Sequence, residues 1–447
     1  MKHYLKFFVL LFFNYCLAQE TPTSLSLQEA IDYALENNRQ AKNASRDIEV
    51  AEKQKWETIA TGLPQLNANI NYQNFLKQQV SVVPAEFFGG DPGEFAEVIF
   101  GTQQNATATA TLNQLIFDGS YIVGLQSTKV FLEISKNAKA KTDLEVRESV
   151  INAYGNVLVS EEGVEILERN IAVLKDNLNE TTKIYENGLE ELESVEQLQI
   201  TLSNLESDYD NLKRLEVIAY QMLNITLGID YKSPLELTDT LESLAFQNLA
   251  TESLEIENDV TNTLDYQIAE NDKDSKELLV KLEQSKALPT LSAFLNGGYN
   301  SFSNDFVFLD NNNQWFGFSL FGLNLDIPIF SSGMRGAATQ RAKINLEKAK
   351  DDLTEVEQLL KLQIATAKSN YQFATEDYYN KKRNLELAER IAQKNETKFF
   401  EGIGSSFELR QAQTQLYSAQ QQILQTMLDV INAKAELETI TNTPTNY

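Results

Sequence analysis

Apolar residues return every three or four positions along four stretches of this chain. Val164, Leu167, Ile171, Leu174 and Leu178 make one stripe, and Leu198, Leu202, Leu205, Tyr209 and Leu212 make a second. Leu353, Val356, Leu360, Ile364, Ala367, Tyr371, Ala374 and Tyr378 sustain a longer one, answered by Leu409, Ala412, Leu416, Ala419 and Ile423. Such spacing keeps apolar groups on one side of an α-helix and buries them against a neighbouring helix in coiled-coil fashion. Between Gly119 and Tyr185 there is no proline, and the interior glycines are Gly124, Gly155 and Gly163. The pattern predicts a helix of roughly 65 residues, close to 100 Å at about 1.5 Å per residue. The mean globular helix is far shorter. Taken alone, the helices fit a soluble bundle or rod best.

Strand-like stretches change that reading. In 65–73 Leu66, Ala68, Ile70 and Tyr72 alternate with Gln65, Asn67, Asn69 and Asn71, and in 106–113 Ala106, Ala108, Ala110 and Leu112 alternate with Thr107, Thr109, Thr111 and Asn113. This is a period of two with an uncharged polar second face. Leu291, Ala293 and Leu295 alternate less cleanly, and 315–325 is apolar on both faces at its start. Aromatic residues gather near the ends of these stretches: Tyr72, Phe75, Phe117, Tyr121, Tyr299, Trp315 and Phe330. Strands of about ten residues with one apolar face, girdled by aromatics, suit an outer-membrane barrel wall. An ordinary sheet with one wet face is the alternative, but it would carry more Lys and Glu on that face. The long stretch Phe75 to Asn105, with Pro84, Gly89-Gly90 and Asp91-Pro92-Gly93, reads as a loop, as does Ser301 to Gln314.

The chain is internally duplicated. Leu63-Pro64-Gln65-Leu66 recurs as Leu288-Pro289-Thr290-Leu291, and Ile116-Phe117-Asp118-Gly119 recurs as Ile329-Phe330-Ser331-Ser332-Gly333. Tyr185-Glu186-Asn187-Gly188 recurs as Phe399-Phe400-Glu401-Gly402, and Gln197, Gln199 and Leu202 match Gln411, Gln413 and Leu416. The order is the same in both halves, each reading helix, strand, loop, strand, long helix, glycine turn, helix. The expected organisation is an export signal over 1–18 and two structural repeats, 19–240 and 241–447. In the first repeat, strands are expected near 64–76 and 105–117 and hairpin helices near 119–227. In the second, strands are expected near 289–300 and 315–328 and hairpin helices near 333–440. Residues 228–262 break the helical pattern, and the expectation is an irregular region beside the chain ends.

Composition narrows the chemistry. Of 447 residues, 38 are Lys or Arg and 64 Asp or Glu, a net charge of -26, and there is one His and one Cys. Both fall in the first segment, as His3 and Cys16. That segment opens with Lys2 and Lys6, runs apolar from Phe7 to Phe13 and ends Cys16-Leu17-Ala18, the anatomy of a secretory signal cleaved after Ala18. A lipid on Cys16 fits poorly, because Asn14-Tyr15 precede it where small residues are wanted. A mature chain without His or Cys has no Ser-His-Asp or Cys-His catalysis, zinc finger or disulfide. The acidic balance argues against nucleic acid. Paired carboxylates of glycosidase type are easy to find by chance among so many acids, yet no compact architecture holds a concave site. The chain reads as no enzyme, with no cofactor and no metal.

Four strands cannot close a barrel, and each open sheet edge presents N–H and C=O groups that lipid leaves unpaired. The smallest closed membrane barrels have about eight strands, so copies must share one wall. Three chains give about 12 strands, wide enough for a channel.

The duplicated Leu-Pro-x-Leu and Ile-Phe-x(1–2)-Gly motifs, with two aromatic-x-x-Gly turns before Gln-rich helices, resemble the TolC-like outer membrane factor family over about 25–440. The resemblance implies a mixed α+β membrane protein. Each chain gives four transmembrane β-strands and long coiled-coil-like helices, trimerising into a 12-stranded β-barrel on an α-helical barrel. It implies a homotrimer in the outer membrane of a Gram-negative cell, in contact with outer membrane lipid, with the helical portion in the periplasm. The role implied is the passive exit duct of a tripartite efflux or type I secretion system. Such a duct docks with a periplasmic adaptor (membrane fusion protein) and so, indirectly, with an inner-membrane transporter. Tyr185, Gly188 and Leu189 match one adaptor-docking tip of the family, and Phe399, Gly402 and Ile403 match the other. Glycine there can take positive φ, although Gly188 and Gly402 could equally just end helices. Glu408 matches an inward-facing acidic position, whose three copies would make a cation-attracting ring; a solvated surface acid is the alternative. Gln411 stands at the next acidic position. Ser194 replaces the acidic partner of the closed-state network and Gly404 its basic partner, so hydrogen bonds and packing must hold the gate. The competing reading is a periplasmic coiled-coil scaffold without a pore. The exported substrate is not expected to be legible in the chain.

Overall fold

The computed structural model describes residues 23–249 and 259–447. The expected signal, with His3, Cys16 and the cleavage after Ala18, lies outside the described residues. In chain order the elements are β1 (Ser24–Leu25), α1 (Leu27–Asn37), α2 (Arg39–Thr61), β2 (Gln65–Asn74), β3 (Val80–Pro84), β4 (Phe95–Ile99), β5 (Gln104–Phe117), α3 (Gly119–Glu186) and α4 (Leu192–Leu227). They continue with β6 (Glu236–Leu237), α5 (Leu241–Asn248), α6 (Leu264–Ser285), β7 (Thr290–Ser303), β8 (Phe316–Asp326), α7 (Met334–Phe400) and α8 (Ser406–Thr441). No helix among the described residues is long and apolar enough to cross a membrane.

The chain forms two compact units, and each draws segments from both halves of the sequence. The first takes the described residues of Met1–Ser45, Lys139–Leu264 and Leu359–Tyr447. Its helices pair along the stripes. Ile171 and Leu174 of α3 bury with Leu198 and Leu205 of α4, flanked by Leu167, Leu178, Leu202 and Tyr209. Ala367, Tyr371, Ala374 and Tyr378 of α7 bury with Ile423, Val430 and Leu437 of α8. Each large side chain so buried contributes about 1.5–3 kcal/mol.

A broader core joins α1, α3, α4, α5 and α8 around Ile31, Val150, Ile151, Tyr154, Leu223, Leu244 and Ile431. Of the expected irregular region, residues 228–249 pack here, with Leu235, Leu241, Leu244 and Ala245 in the core and Tyr447 near the end of the chain against it. β6 pairs in parallel with β1, and the Tyr154 hydroxyl lies 3.0 Å from Asp239 Oδ2 and 3.1 Å from the Leu25 carbonyl. A buried ion pair crosses the same region: Arg147 Nη1 donates to Glu438 Oε2 at 2.8 Å. The Arg147 guanidinium also donates to the Thr445 carbonyl and stacks 5.3 Å from the Tyr447 ring.

The second unit takes Arg46–Ala138 and Asp265–Gln358. It holds a four-stranded antiparallel sheet in the order β2-β5-β7-β8, and β2 and β8 are its open edges. The stretch between β2 and β5 reads as a loop from its Pro and Gly content. It instead folds into the β3–β4 hairpin, with Val80 opposite Ile99 and Pro84 opposite Phe95, joined by a short 3-10 turn over Ala85–Phe88. The Pro/Gly cluster is only the turn of that hairpin, and the Val and Phe alternation around it forms the ladder.

The two strand exits, alike in sequence, differ in structure. β5 runs to Phe117, and Asp118 then caps α3 at once by accepting from Ser120 N at 2.6 Å and Tyr121 N at 3.2 Å. β8 stops at Asp326, because Pro328 has no N–H to give a ladder. Ile329 and Phe330 therefore lie outside the strand, in a linker held by Arg335, which donates to the Pro328 carbonyl at 2.7 Å.

Candidate functional site

The sheet register separates two faces. On one lie Leu66, Ala68, Ile70 and Tyr72 of β2, then Leu112, Ala110, Ala108 and Ala106 of β5. Leu291, Ala293, Leu295 and Tyr299 of β7 and Leu325, Leu323 and Phe321 of β8 continue it. This face is apolar over all four strands and open, with Ile70 85% and Leu66 71% exposed. Tyr72 ends it in an aromatic cluster with Phe306 and Phe308, the latter beside Trp315. On the other face β2 and β5 carry Gln65, Asn67, Asn69 and Asn71 against Asn113, Thr111, Thr109 and Thr107, and Asn296 donates to Thr111 Oγ1 at 3.0 Å. Gly298 is needed in this sheet, since a Cβ there would stand 2.3 Å from the Ala108 carbonyl oxygen. One apolar and one amide-rich face is the division a barrel wall makes between lipid and lumen.

The two glycine turns are built identically. Gly188 N donates to the Tyr185 carbonyl at 2.8 Å and Leu189 N to that of Ile184 at 3.1 Å. Gly402 N donates to the Phe399 carbonyl and Ile403 N to that of Lys398, both at 3.0 Å. This paired pattern is a Schellman cap, and it requires the left-handed backbone seen at Gly188 (φ 75°) and Gly402 (φ 73°). The cap pushes the next residue outward: Leu189 is 78% and Ile403 73% exposed. Tyr185 is exposed, whereas Phe399 is buried and meets Phe400 edge-on. Leu192 and Phe407, which sequence reading passed over, are exposed beside the turns. Their signal was an apolar residue in the first turn after each break.

Ser194 sits at the start of α4 and bonds both within its own tip and to the other. Its hydroxyl donates to Glu190 Oε1 at 2.5 Å and lies 2.8 Å from Ser406 Oγ of α8. Higher up, Asn170 Nδ2 of α3 donates to Gln420 Oε1 of α8 at 2.9 Å. Gly404 packs tightly, because a Cβ there would stand 2.9 Å from Lys398 Cβ and 3.1 Å from Phe399 N. Glu408 is the third residue of α8 and completes a capping box with Ser405: Glu408 N donates to Ser405 Oγ at 3.2 Å and Ser405 N to Glu408 Oε2 at 3.5 Å. Its carboxylate thus has a local role whatever it faces. Gln411 lines an open groove with Leu387, Ile391, Phe407 and Arg410.

Away from the tips, half-buried acids gather on the helices. Burial pushes the carboxyls of Glu148, Glu161 and Glu162 above the usual carboxylate range, and neighbouring acids add to it. Glu148 shares a groove with Asp377, Asp429 and Glu436. Tyr417, buried near Glu396, is pushed up to about 12.

Comparison with known proteins bears on these features. The model of the outer membrane efflux protein family matches residues 261–443. The chain is 23% identical over 330 residues to the outer membrane protein TolC of Vibrio cholerae, covering 73% of this chain and 70% of that protein. It is 23% identical over 427 residues to the toluene efflux pump outer membrane protein TtgC of Pseudomonas putida, covering 92% and 82%. The crystal structure of the outer membrane protein VceC of Vibrio cholerae superposes with a TM-score of 0.70 at 16% identity, covering 93% of this chain and 96% of that one. With one apolar sheet face, two unpaired edges and paired helical hairpins, the chain has the fold of the TolC-like outer membrane channels, and over residues 261–443 it is similar to the outer membrane efflux protein family.

Proposed function

We propose that this protein is the outer membrane channel of a tripartite efflux or type I secretion system, working as a homotrimer whose sheets join in one barrel and whose helices lie in the periplasm. The observation that carries the reading is the sheet. Its apolar face spans four strands, while β2 and β8 keep unpaired edges that lipid does not tolerate. Adding β2 of one copy to β8 of the next removes every edge, and the amide-rich face then lines a water-filled bore. The chain's part in transport is passive: it offers a polar path, and the energy comes from an inner-membrane transporter reached through a periplasmic adaptor. The exposed Leu189 and Ile403, held outward by identical caps, are the surfaces we assign to the adaptor, with Tyr185, Gly188, Phe399 and Gly402 shaping the turns. We also assign the sequence duplication over 19–240 and 241–447 to two structural repeats, which accounts for two like hairpins in one chain.

A periplasmic scaffold without a pore would be extracted without detergent as a soluble species. The channel reading expects recovery from the outer membrane only in detergent, as a trimer that conducts ions in a planar bilayer. A stable, detergent-free monomer would overturn it.

A further inference from the structure

Where β8 ends, the chain stays apolar and stays exposed. Ile327 is 55%, Ile329 89%, Phe330 86% and Met334 70% exposed, and Ile327 follows Leu323 and Leu325 of the apolar sheet face at the same two-residue step. This linker lies at the helix end of the sheet, where Phe117 of β5, Leu291 of β7 and Leu325 of β8 stand side by side. Large apolar side chains gathered in the open mark a contact surface. Arg335 fixes the linker in place by donating to the Pro328 carbonyl at 2.7 Å and to Ser331 Oγ at 3.2 Å.

The charge around the linker is opposite to that of the whole protein. The net charge is -26, yet 327–346 carries Arg335, Arg341 and Lys343 and no acid. The matching stretch of the first half, 113–132, has Asp118 against Lys129. A belt that only marked a membrane boundary would be basic in both halves, so the second half answers to a more specific demand. Met334, Arg335 and Arg341 line an open groove with Glu283 of α6 and Lys286 just after it, about 490 Å³ in volume and within the usual range of ligand sites. Lys286 is tied to Glu283 at 2.8 Å, whereas no acid among the described residues pairs with Arg335 or Arg341. The groove therefore holds a surplus of positive charge.

We infer that this linker seats an anionic glycerophospholipid of the periplasmic leaflet, with its phosphate between Arg335 and Arg341 and its acyl chains against Ile329, Phe330 and Met334. The inference rests on the outer-membrane channel reading, which puts the helix end of the sheet at that leaflet. With the apolar linker at the hydrocarbon edge, Arg341 stands about 10 Å further along α7 than Met334. The headgroup layer is about 5–8 Å thick on each side of a bilayer. The Arg341 side chain leans towards the N-terminus of its helix, back into that layer. The occupant is a lipid, because the exposed surface continues the sheet face that already meets hydrocarbon, and the free cations beside it fit a layer of phosphates.

The test incubates the full-length trimer, in a neutral detergent, with dioleoylphosphatidylglycerol and counts retained lipid by native mass spectrometry. The expected result is one phosphatidylglycerol per chain, held about fivefold more weakly by Arg341→Gln and more weakly by Phe330→Ser, with Lys129→Gln in the first half unchanged. Equal retention in wild type and Arg341→Gln would overturn the inference. So would equal retention in Phe330→Ser, which would show that a neighbouring copy covers the linker. Phosphatidylcholine held as firmly as phosphatidylglycerol would show lipid contact without recognition of charge, and overturn it too. Displacement of the lipid by an equal concentration of inorganic phosphate would assign the groove to free phosphate instead. Trimers that retain no lipid would overturn this inference alone, whereas absence of trimers would overturn the channel reading and this inference with it.

Discussion

At Gly402 the backbone holds φ at 73° and a Cβ would meet nothing within 4 Å, so the turn demands glycine for its backbone rather than for space. A Gly402→Val change forces a left-handed residue with a branched side chain, at about 1–2 kcal/mol of local strain. We expect it to abolish export in cells while trimers remain on a native gel; normal export would remove the docking role from this turn. Glu408 separates two roles. Glu408→Gln keeps a capping partner for Ser405 and removes the charge, whereas Glu408→Lys reverses the charge. Cation preference in planar bilayers should fall for Gln and fall further for Lys, with helix content unchanged for Gln. Equal selectivity in all three proteins would place Glu408 outside the lumen. The repeated turn motif pointed to Gly402 and the family resemblance to Glu408. The Ser405-x-x-Glu408 spacing of a capping box was legible in the sequence and was passed over, whereas the contact that makes Gly404 a packing residue depends on how the chain closes at the turn.

Among the elements, the helical hairpins were the most legible, since a stripe at three-four spacing states which side of a helix is buried and the nearest stripe after a turn is its partner. The strands were legible where polar and apolar residues alternate, as in β2 and β5, and blurred in β8, where both faces carry large apolar groups. The β3–β4 hairpin was missed because five-residue strands beside a Pro/Gly cluster look like the cluster's own loop. The half-buried acids give the helices a pH response. Glu148 on α3 and Glu161 beside Tyr220 of α4 have carboxyls raised in the fold. The native state therefore holds protons that the unfolded chain releases near 4.5, and stability falls as pH rises from there through the folded values. We expect the melting temperature of the detergent-solubilised protein to rise on acidification from neutral towards that value. Glu161→Gln should raise it at neutral pH and flatten the slope. A wild-type melting temperature that only falls on acidification would refute this.

At the scale of the whole molecule, the two compact units each interleave segments from both halves of the chain, so neither half can complete a unit without the other. The sheet shows this most directly: β5 from the first half and β7 from the second lie side by side at its centre. Even the full chain leaves two edges, which is why the trimer is the functional unit we propose. By itself the sequence determined the type of each long element, the apolar face of each, the positions of the glycine turns and the absence of His and Cys after residue 16, because all of these are set by neighbours within a few residues. Only the tertiary structure decided that Arg147 meets Glu438 and Thr445, that Ser194 reaches Ser406, and that Phe302 and Phe316 form one patch on the amide-rich face. Those contacts join residues far apart along the chain or fix a register between strands. No local pattern encodes them, since the energy that selects them arises only once the distant surfaces are brought together and water is excluded between them.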